Sequence, residues 1–342
     1  MEVKEGRLLF VDMLKLLAIY LVLWGHCVQQ FLTSPALEND VYIYIYSFHM
    51  PLFMMLSGYF SSSSISVPFI PFLRKKVVQL LLPVFSWSIL AYVLSLVLDV
   101  FVPHDGTEPA AGGNIVRAFG NFWFLKSLFI CYLVAWCGSR SKLPAWVWIL
   151  LTLMLSQLIS KYNVKIMYPC FLAGMALRNC SDFVRKYRVY IFIFSTLLFA
   201  FMLLGWEGYF LKPANLMQAV SDKDISAIAG ELYIRVYRIF IGLSASLSLY
   251  LLFMFLFDNM ESLFLKRMAA MGRYTLHVYL LQVLLLEIFL GEFLSLDFVS
   301  LPVADYIVTP LLSAALLLFC VLLSRLIGRS ERLGFILFGQ RR

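Results

Sequence analysis

Long apolar runs alternate with short polar connections along this chain. The runs are too long and too uniformly apolar for barrel strands, which span about 9–11 residues and alternate in polarity. A membrane helix needs about 20 mostly apolar residues, with its backbone hydrogen bonds closed inside the segment. Ten such stretches are predicted, at about 9–32, 41–63, 77–102, 120–138, 144–160, 165–179, 188–211, 232–257, 271–291 and 302–326. The sixth is short. No repeat period is evident and no linker divides the chain. The pattern predicts an all-α integral membrane protein: one multi-pass domain over 1–342, a bundle of about ten transmembrane helices.

The connections supply an independent check. If the N-terminus is cytoplasmic, seventeen lysines and arginines fall in the inner segments and five in the outer ones. Cytoplasmic loops carry the excess of positive charge, so both termini are predicted to be cytoplasmic. The largest outer connections, about 103–119 and 212–231, are too short to form a catalytic domain. Any chemistry therefore belongs to the helix bundle or its rims.

Composition agrees. Hydrophobic residues make up 62% and charged residues 14%, against about 25% charged in soluble proteins. The mean hydropathy is +0.85. Loop lysines and arginines account for the net charge of +8, so it predicts membrane lipids as partners and no nucleic acid. The six cysteines lie in or beside apolar runs without a CxxC. They read as packing residues, with no disulfide framework and no metal site. Lys4 and Arg7 precede the first run without a small-residue cleavage site, as in an uncleaved first span.

The first run, "FVDMLKLLAIYLVLWGHCVQQF", carries Asp12, Lys15 and His26. Lys15 follows Asp12 by about 300°, and His26 lies about 20° beyond three full turns from Lys15. All three share one face, with His26 about 16 Å along the axis from Lys15. One reading is local: Asp12 and Lys15 neutralise each other at i,i+3, and His26 ties two helices together. The other gives the stripe a task, because ionisable groups in membrane helices commonly face a polar cavity. An imidazole there can act as a general base.

Other polar clusters admit paired readings too. In "SFHMPLFMMLSGYF", Pro51 is predicted to kink the span and free a carbonyl near His49, while Ser57 and Gly58 permit close helix approach. That segment is either a kinked packing helix or a substrate wall. Arg74, Lys75 and Lys76 form either a topogenic anchor or a seat for a polyanion. Arg235 and Arg238 either snorkel to headgroups or recognise a phosphate or acidic sugar. Lys126 is a similar case. Trp123 and Phe124 belong to an interfacial belt or a sugar-stacking surface.

Together these segments resemble the membrane-bound acyltransferase 3 family, its fucose 4-O-acetylase-like branch in particular. "DMLK", ten residues and His26 is similar to the family's first span. "FHMPLFMMLSGY" resembles its second, and the basic cluster with "LLLP" its third. "FWFLKSLF", "FLAGMALR" and "GRYTLHVYLLQ" follow in the family's order. The resemblance implies transfer of an acetyl group from cytoplasmic acetyl-CoA to a hydroxyl of a cell-surface or lipid-linked carbohydrate. It implies His26 as the catalytic histidine, Lys15 as its basic partner and Asp12 as the acidic neighbour. The family often has histidine where this chain has Gln282. His277 does not replace it, being about 140° away around the helix. Gln282 remains a candidate for orienting a carbonyl or hydroxyl.

The stripe suits that chemistry on its own terms. A cationic mouth of Arg74, Lys75, Lys76 and Lys15 would hold a polyanionic donor head, and the donor's arm would thread toward His26. Direct attack and an acetyl-histidine intermediate both stay open, as do acetyl and succinyl donors. His49, Ser57, Trp123, Lys126, Arg235, Arg238 and Gln282 are the candidate acceptor contacts. The competing reading is a carrier or flippase for a lipid-linked saccharide. Against it stand the lack of a two-half repeat and the scarcity of acidic relay residues beyond Asp12 and Glu287. Placement in the cell's inner (plasma) membrane is expected.

Overall fold

A computed structural model describes residues 8–32, 35–101, 115–159, 161–212, 220–257, 262–296 and 298–340. Among these residues the regular structure is helical, with no strand. Each predicted stretch holds a helix: α1 (Leu9–Phe31), α2 (Asp40–Tyr59), α3 (Phe69–Leu98), α4 (Trp123–Arg140), α5 (Ala145–Ser156), α6 (Val164–Asn179), α7 (Arg188–Leu203), α8 (Ile225–Phe257), α9 (Leu263–Leu290) and α10 (Leu301–Ile327). Among the described residues, five of these are long and apolar enough to cross a membrane: α1, α3, α8, α9 and α10. Helices α5 and α7 are shorter apolar helices. Most of the connection predicted at 103–119 lies outside the described residues, as do Lys4 and Arg7.

Two boundaries differ from the hydropathy reading for identifiable reasons. Helix α3 starts just after Pro68, eight residues earlier than the apolar run suggests, so Arg74, Lys75 and Lys76 lie on a helix. The winding then widens over Val77–Leu81, where the Leu82 N–H reaches back to the Val77 carbonyl. Pro83 follows at once and has no N–H to give the Gln79 carbonyl. The widened turn sits where that regular bond is missing. Helix α2 ends at Tyr59, and a separate turn, Ser62–Ile65, completes the predicted stretch.

Helix α1 is the central element, packed against α2, α8, α9 and α10. Small residues let its neighbours close in. Gly58 on α2 and Gly174 on α6 meet backbone to backbone: a Cβ on Gly174 would lie 1.9 Å from the Met55 carbonyl oxygen. Gly272 brings α9 against the Asp12 carbonyl in the same way. Gly242 on α8 receives the Pro51 ring. Helix α2 runs on through Pro51, and the carbonyl it frees is that of Ser47, which faces Gly242. Large apolar side chains such as Tyr190, Phe194 and Phe201 point outward along α7. Such a surface calls for an apolar solvent.

Candidate active site

Two cavities lie along α1. The first has a volume of about 490 Å³ and is lined by His26, Tyr46, His49, Trp123, Arg238, Gln282 and Glu287, among others. The second, about 360 Å³, lies nearer the start of α1 and is lined by Lys15, Ser57, Phe60, Tyr132 and Arg273 with a largely apolar wall. Met50 and Tyr279 line both. The face that the first helix dedicates to ionisable groups is therefore the face that borders both spaces.

In the first cavity the His26 Nδ1 lies 3.5 Å from Glu287 Oε1. Both side chains are mostly buried. The contact is longer than a formed hydrogen bond, and catalytic contacts often tighten only when substrate is bound. A carboxylate at Nδ1 favours the tautomer with its proton there, which leaves the lone pair on Nε2. Glu287 also stands within electrostatic reach of the Tyr46 and Tyr279 hydroxyls. Tyr46 packs edge-on against both His26 and His49, and stacks on Tyr42.

His49 is fixed differently. Its Nδ1 sits 2.7 Å from the Ile45 carbonyl, one turn back on α2. A carbonyl only accepts, so Nδ1–H is the donor and Nε2 carries the lone pair. Gln282 is almost fully buried, and its Oε1 accepts no hydrogen bond.

In the second cavity Lys15 keeps its local partner. Its Nζ lies 3.5 Å from Asp12 Oδ1 and 5.1 Å from the centre of the Phe60 ring. Asp12 itself is buried beneath Gly272. The Asp12–Lys15 ion pair and the cavity position of Lys15 coexist.

The basic cluster divides. Lys76 is buried, with its Nζ 3.3 Å from the centre of the Tyr132 ring, which lines the Lys15 cavity. Arg74 and Lys75 line a separate groove with Ile70, Pro71 and Gly339. Ser57 belongs with Lys15 rather than with His26, and its hydroxyl donates to the Phe53 carbonyl. Lys126 lines neither cavity. It turns back to donate to the Phe119 carbonyl and covers the Tyr162 ring. Arg238 lines the His26 cavity. Arg235 does not line it; it is buried and donates to the Gln157 carbonyl at 2.7 Å. His277 borders neither cavity and stacks on Phe338.

Pattern reading passed over Glu287 and Tyr46 as partners of His26. Glu287 had a signal, being the one carboxylate in the run "VLLLEIFL". Its direction had none, because Val283–Leu290 is wound as a π-helix.

Comparison with known proteins gives this arrangement a lineage. The chain is 28% identical over 217 residues to nodulation protein NolL of Mesorhizobium japonicum, covering 59% of this chain and 57% of that protein. It is 28% identical over 179 residues to nodulation protein NolL of Sinorhizobium fredii, covering 50% and 48% respectively. The chain thus spans about half the length of these curated relatives. No solved structure matches. The acyltransferase domain family matches residues 8–329, from the start of α1 past the end of α10, and the chain belongs to the acyltransferase 3 family.

Proposed function

We propose that this membrane acyltransferase moves an acetyl group from cytoplasmic acetyl-CoA to a hydroxyl of a cell-surface or lipid-linked carbohydrate. The observation that carries the reading is the pair of adjoining cavities, one bordered by Lys15 and the other by His26 and Glu287. The Lys15 cavity combines the cations Lys15 and Arg273 with apolar walls of Phe53, Leu56 and Leu128. That combination suits a donor with an anionic head and a flexible arm ending in a thioester. Arg74 and Lys75 provide further cations on the adjacent surface of α3 for the head.

In this mechanism the arm passes Met50 and Tyr279 and presents the thioester to the His26 cavity. The acceptor hydroxyl lies against His26 Nε2. As its oxygen attacks the carbonyl carbon, the proton moves to Nε2, and Glu287 balances the imidazolium that forms. The tetrahedral centre collapses, the C–S bond breaks, and the departing thiolate takes the proton back from His26. The products are the O-acetyl ester and the free thiol of CoA. The contact at Nδ1 suits His26 as a positioned base in this direct route.

The reading places all ten helices across the inner membrane with both termini in the cytoplasm, in line with the loop-charge bias. The donor then stays on one side while only its acyl end reaches the other. The deciding experiment uses purified full-length protein with radiolabelled acetyl-CoA. Native protein should bind acetyl-CoA and turn it over, and His26→Ala should bind it without turnover. Equal turnover by both proteins removes His26 from the chemistry.

A further inference from the structure

The His26 cavity also carries a guanidinium. Arg238 lines the His26 cavity from α8, and it has no hydrogen bond or ion pair with any described residue. A guanidinium among membrane helices is normally paired, since desolvating its charge is costly. Arg235, one turn earlier on α8, is only 1% exposed. It spends one nitrogen on the Gln157 carbonyl, while its Nε and Nη2 have no acceptor. Glu231 stands 3.9 Å from its Nη2. Lys165, buried on α6, is within electrostatic reach of Arg235, Arg238 and Glu231. Among the described residues, Arg235, Arg238 and Lys165 thus gather near Glu231.

Among the described residues no ion pair neutralises Arg238, and Asn121 and Asn163 border the same cavity. His26 and Glu287 line the same cavity as Arg238. A ligand that fills it therefore meets an imidazole, a carboxylate and a guanidinium in one space. The anionic head of the thioester donor is no candidate for that guanidinium, because the donor is assigned to the Lys15 cavity.

We propose that Arg238 seats a single anionic group, a phosphate or a carboxylate, carried by the acceptor whose hydroxyl is presented to His26. This rests on the acyltransferase reading. The planar fork of arginine matches either anion with two parallel hydrogen bonds, which fixes the sugar's orientation as well as its position. Arg235 and Lys165, which do not line the cavity, add to the positive potential near Arg238. Arg238 is then a specificity-determining residue. It distinguishes an acidic or phosphorylated saccharide from a neutral one.

The test uses full-length protein in detergent and three probes: glucose, glucose 1-phosphate and glucuronic acid. Binding is followed by thermal stabilisation across a titration. Native protein should be stabilised by at least one of the two anionic sugars at concentrations where glucose has no effect, and which one responds tells phosphate from carboxylate. Arg238→Gln removes the charge and leaves a shorter, polar side chain. It should weaken that binding about tenfold or more, while Arg238→Lys should retain part of it. An equal response of native protein to all three sugars overturns the proposal, and so does an unchanged response in Arg238→Gln. A chloride-only site would show itself as stabilisation by sodium chloride that the sugars do not exceed, and that also overturns it. The acyltransferase reading is scored separately by acetyl-CoA turnover in native protein and His26→Ala, neither of which involves an anionic sugar.

Discussion

Glu287 faces the same cavity as Gln282, five residues before it, because the helix from Val283 to Leu290 is π-wound. In an α-helix, residues five apart diverge by about 140°. In a π-helix the hydrogen bond runs from i to i+5, so such residues stack on one another. The local widening thus sets a carboxylate and an amide against the same space, and the carboxylate meets His26. Single π-turns are often found at functional sites.

Glu287→Gln tests that pairing. The amide keeps the volume but removes the charge and leaves the orientation of the imidazole undetermined. Acetyl transfer should fall about hundredfold, while acetyl-CoA binding stays within a factor of about two to three of native. Steady-state kinetics on the purified protein give both numbers. An unchanged kcat would remove Glu287 from the reaction.

Met50 and Tyr279 stand where the two cavities meet. Filling that junction should separate donor binding from transfer. Met50→Trp adds an indole across the passage. Acetyl-CoA should still bind beside Lys15, but turnover should drop by a factor of about ten or more. Met50→Ala opens the same passage and should leave transfer intact or admit longer acyl donors. The pair of variants is read by donor affinity and by acyl-chain preference. Equal activity in both would mean the donor takes another path.

Much of this site was legible in the sequence because it rests on regular α-helical spacing. Asp12, Lys15 and His26 lie on a uniformly wound helix, so counting at 3.6 residues per turn put them on one face. The same count found His277 to be no substitute for Gln282, and His277 borders neither cavity. It failed where the winding changes. Glu287 sits in a π-segment, and periodicity arguments have no register there. It also failed for the basic cluster: hydropathy treats Arg74, Lys75 and Lys76 as one loop, but a helix sends neighbours about 100° apart. Lys76 consequently turns inward to Tyr132 while Arg74 and Lys75 face a surface groove. The pairing of distant segments, such as Asn39 with Asp305, has no local signature at all.

The Gly58–Gly174 crossing holds α2, which carries His49 and Tyr46, against α6. An alanine methyl at Gly174 would collide with the Met55 carbonyl, which belongs to backbone and cannot rotate away. Gly174→Ala should lower stability by about 1–3 kcal/mol, seen as a lower thermal midpoint in detergent, and reduce activity through displacement of α2. Gly230→Ala is the control, since no atom lies within 4 Å of the added carbon. It should be silent or slightly stabilising. Equal losses in both would show that the crossing is not what limits stability.

Asn39 joins three elements at the far end of α1. Its Oδ1 accepts the Tyr42 N–H and caps α2, and its Nδ2 donates to both carboxylate oxygens of Asp305 at 2.9 and 3.0 Å. The Trp24 indole donates to the Asp305 carbonyl and the Thr309 hydroxyl, bringing α1 to the same point on α10. Both Asn39 and Asp305 are buried, so a mismatch has no access to water. Asn39→Asp keeps the cap but sets two carboxylates face to face, and should cost about 2–3 kcal/mol. Exchanging the roles by adding Asp305→Asn restores one donor and one acceptor, with the carboxylate now at the favourable N-terminus of α2. The double variant should therefore recover most of the stability lost by Asn39→Asp alone, a coupling that thermal unfolding of the four proteins measures directly. Additive losses would mean that the two residues merely occupy neighbouring space and that the cap alone accounts for Asn39.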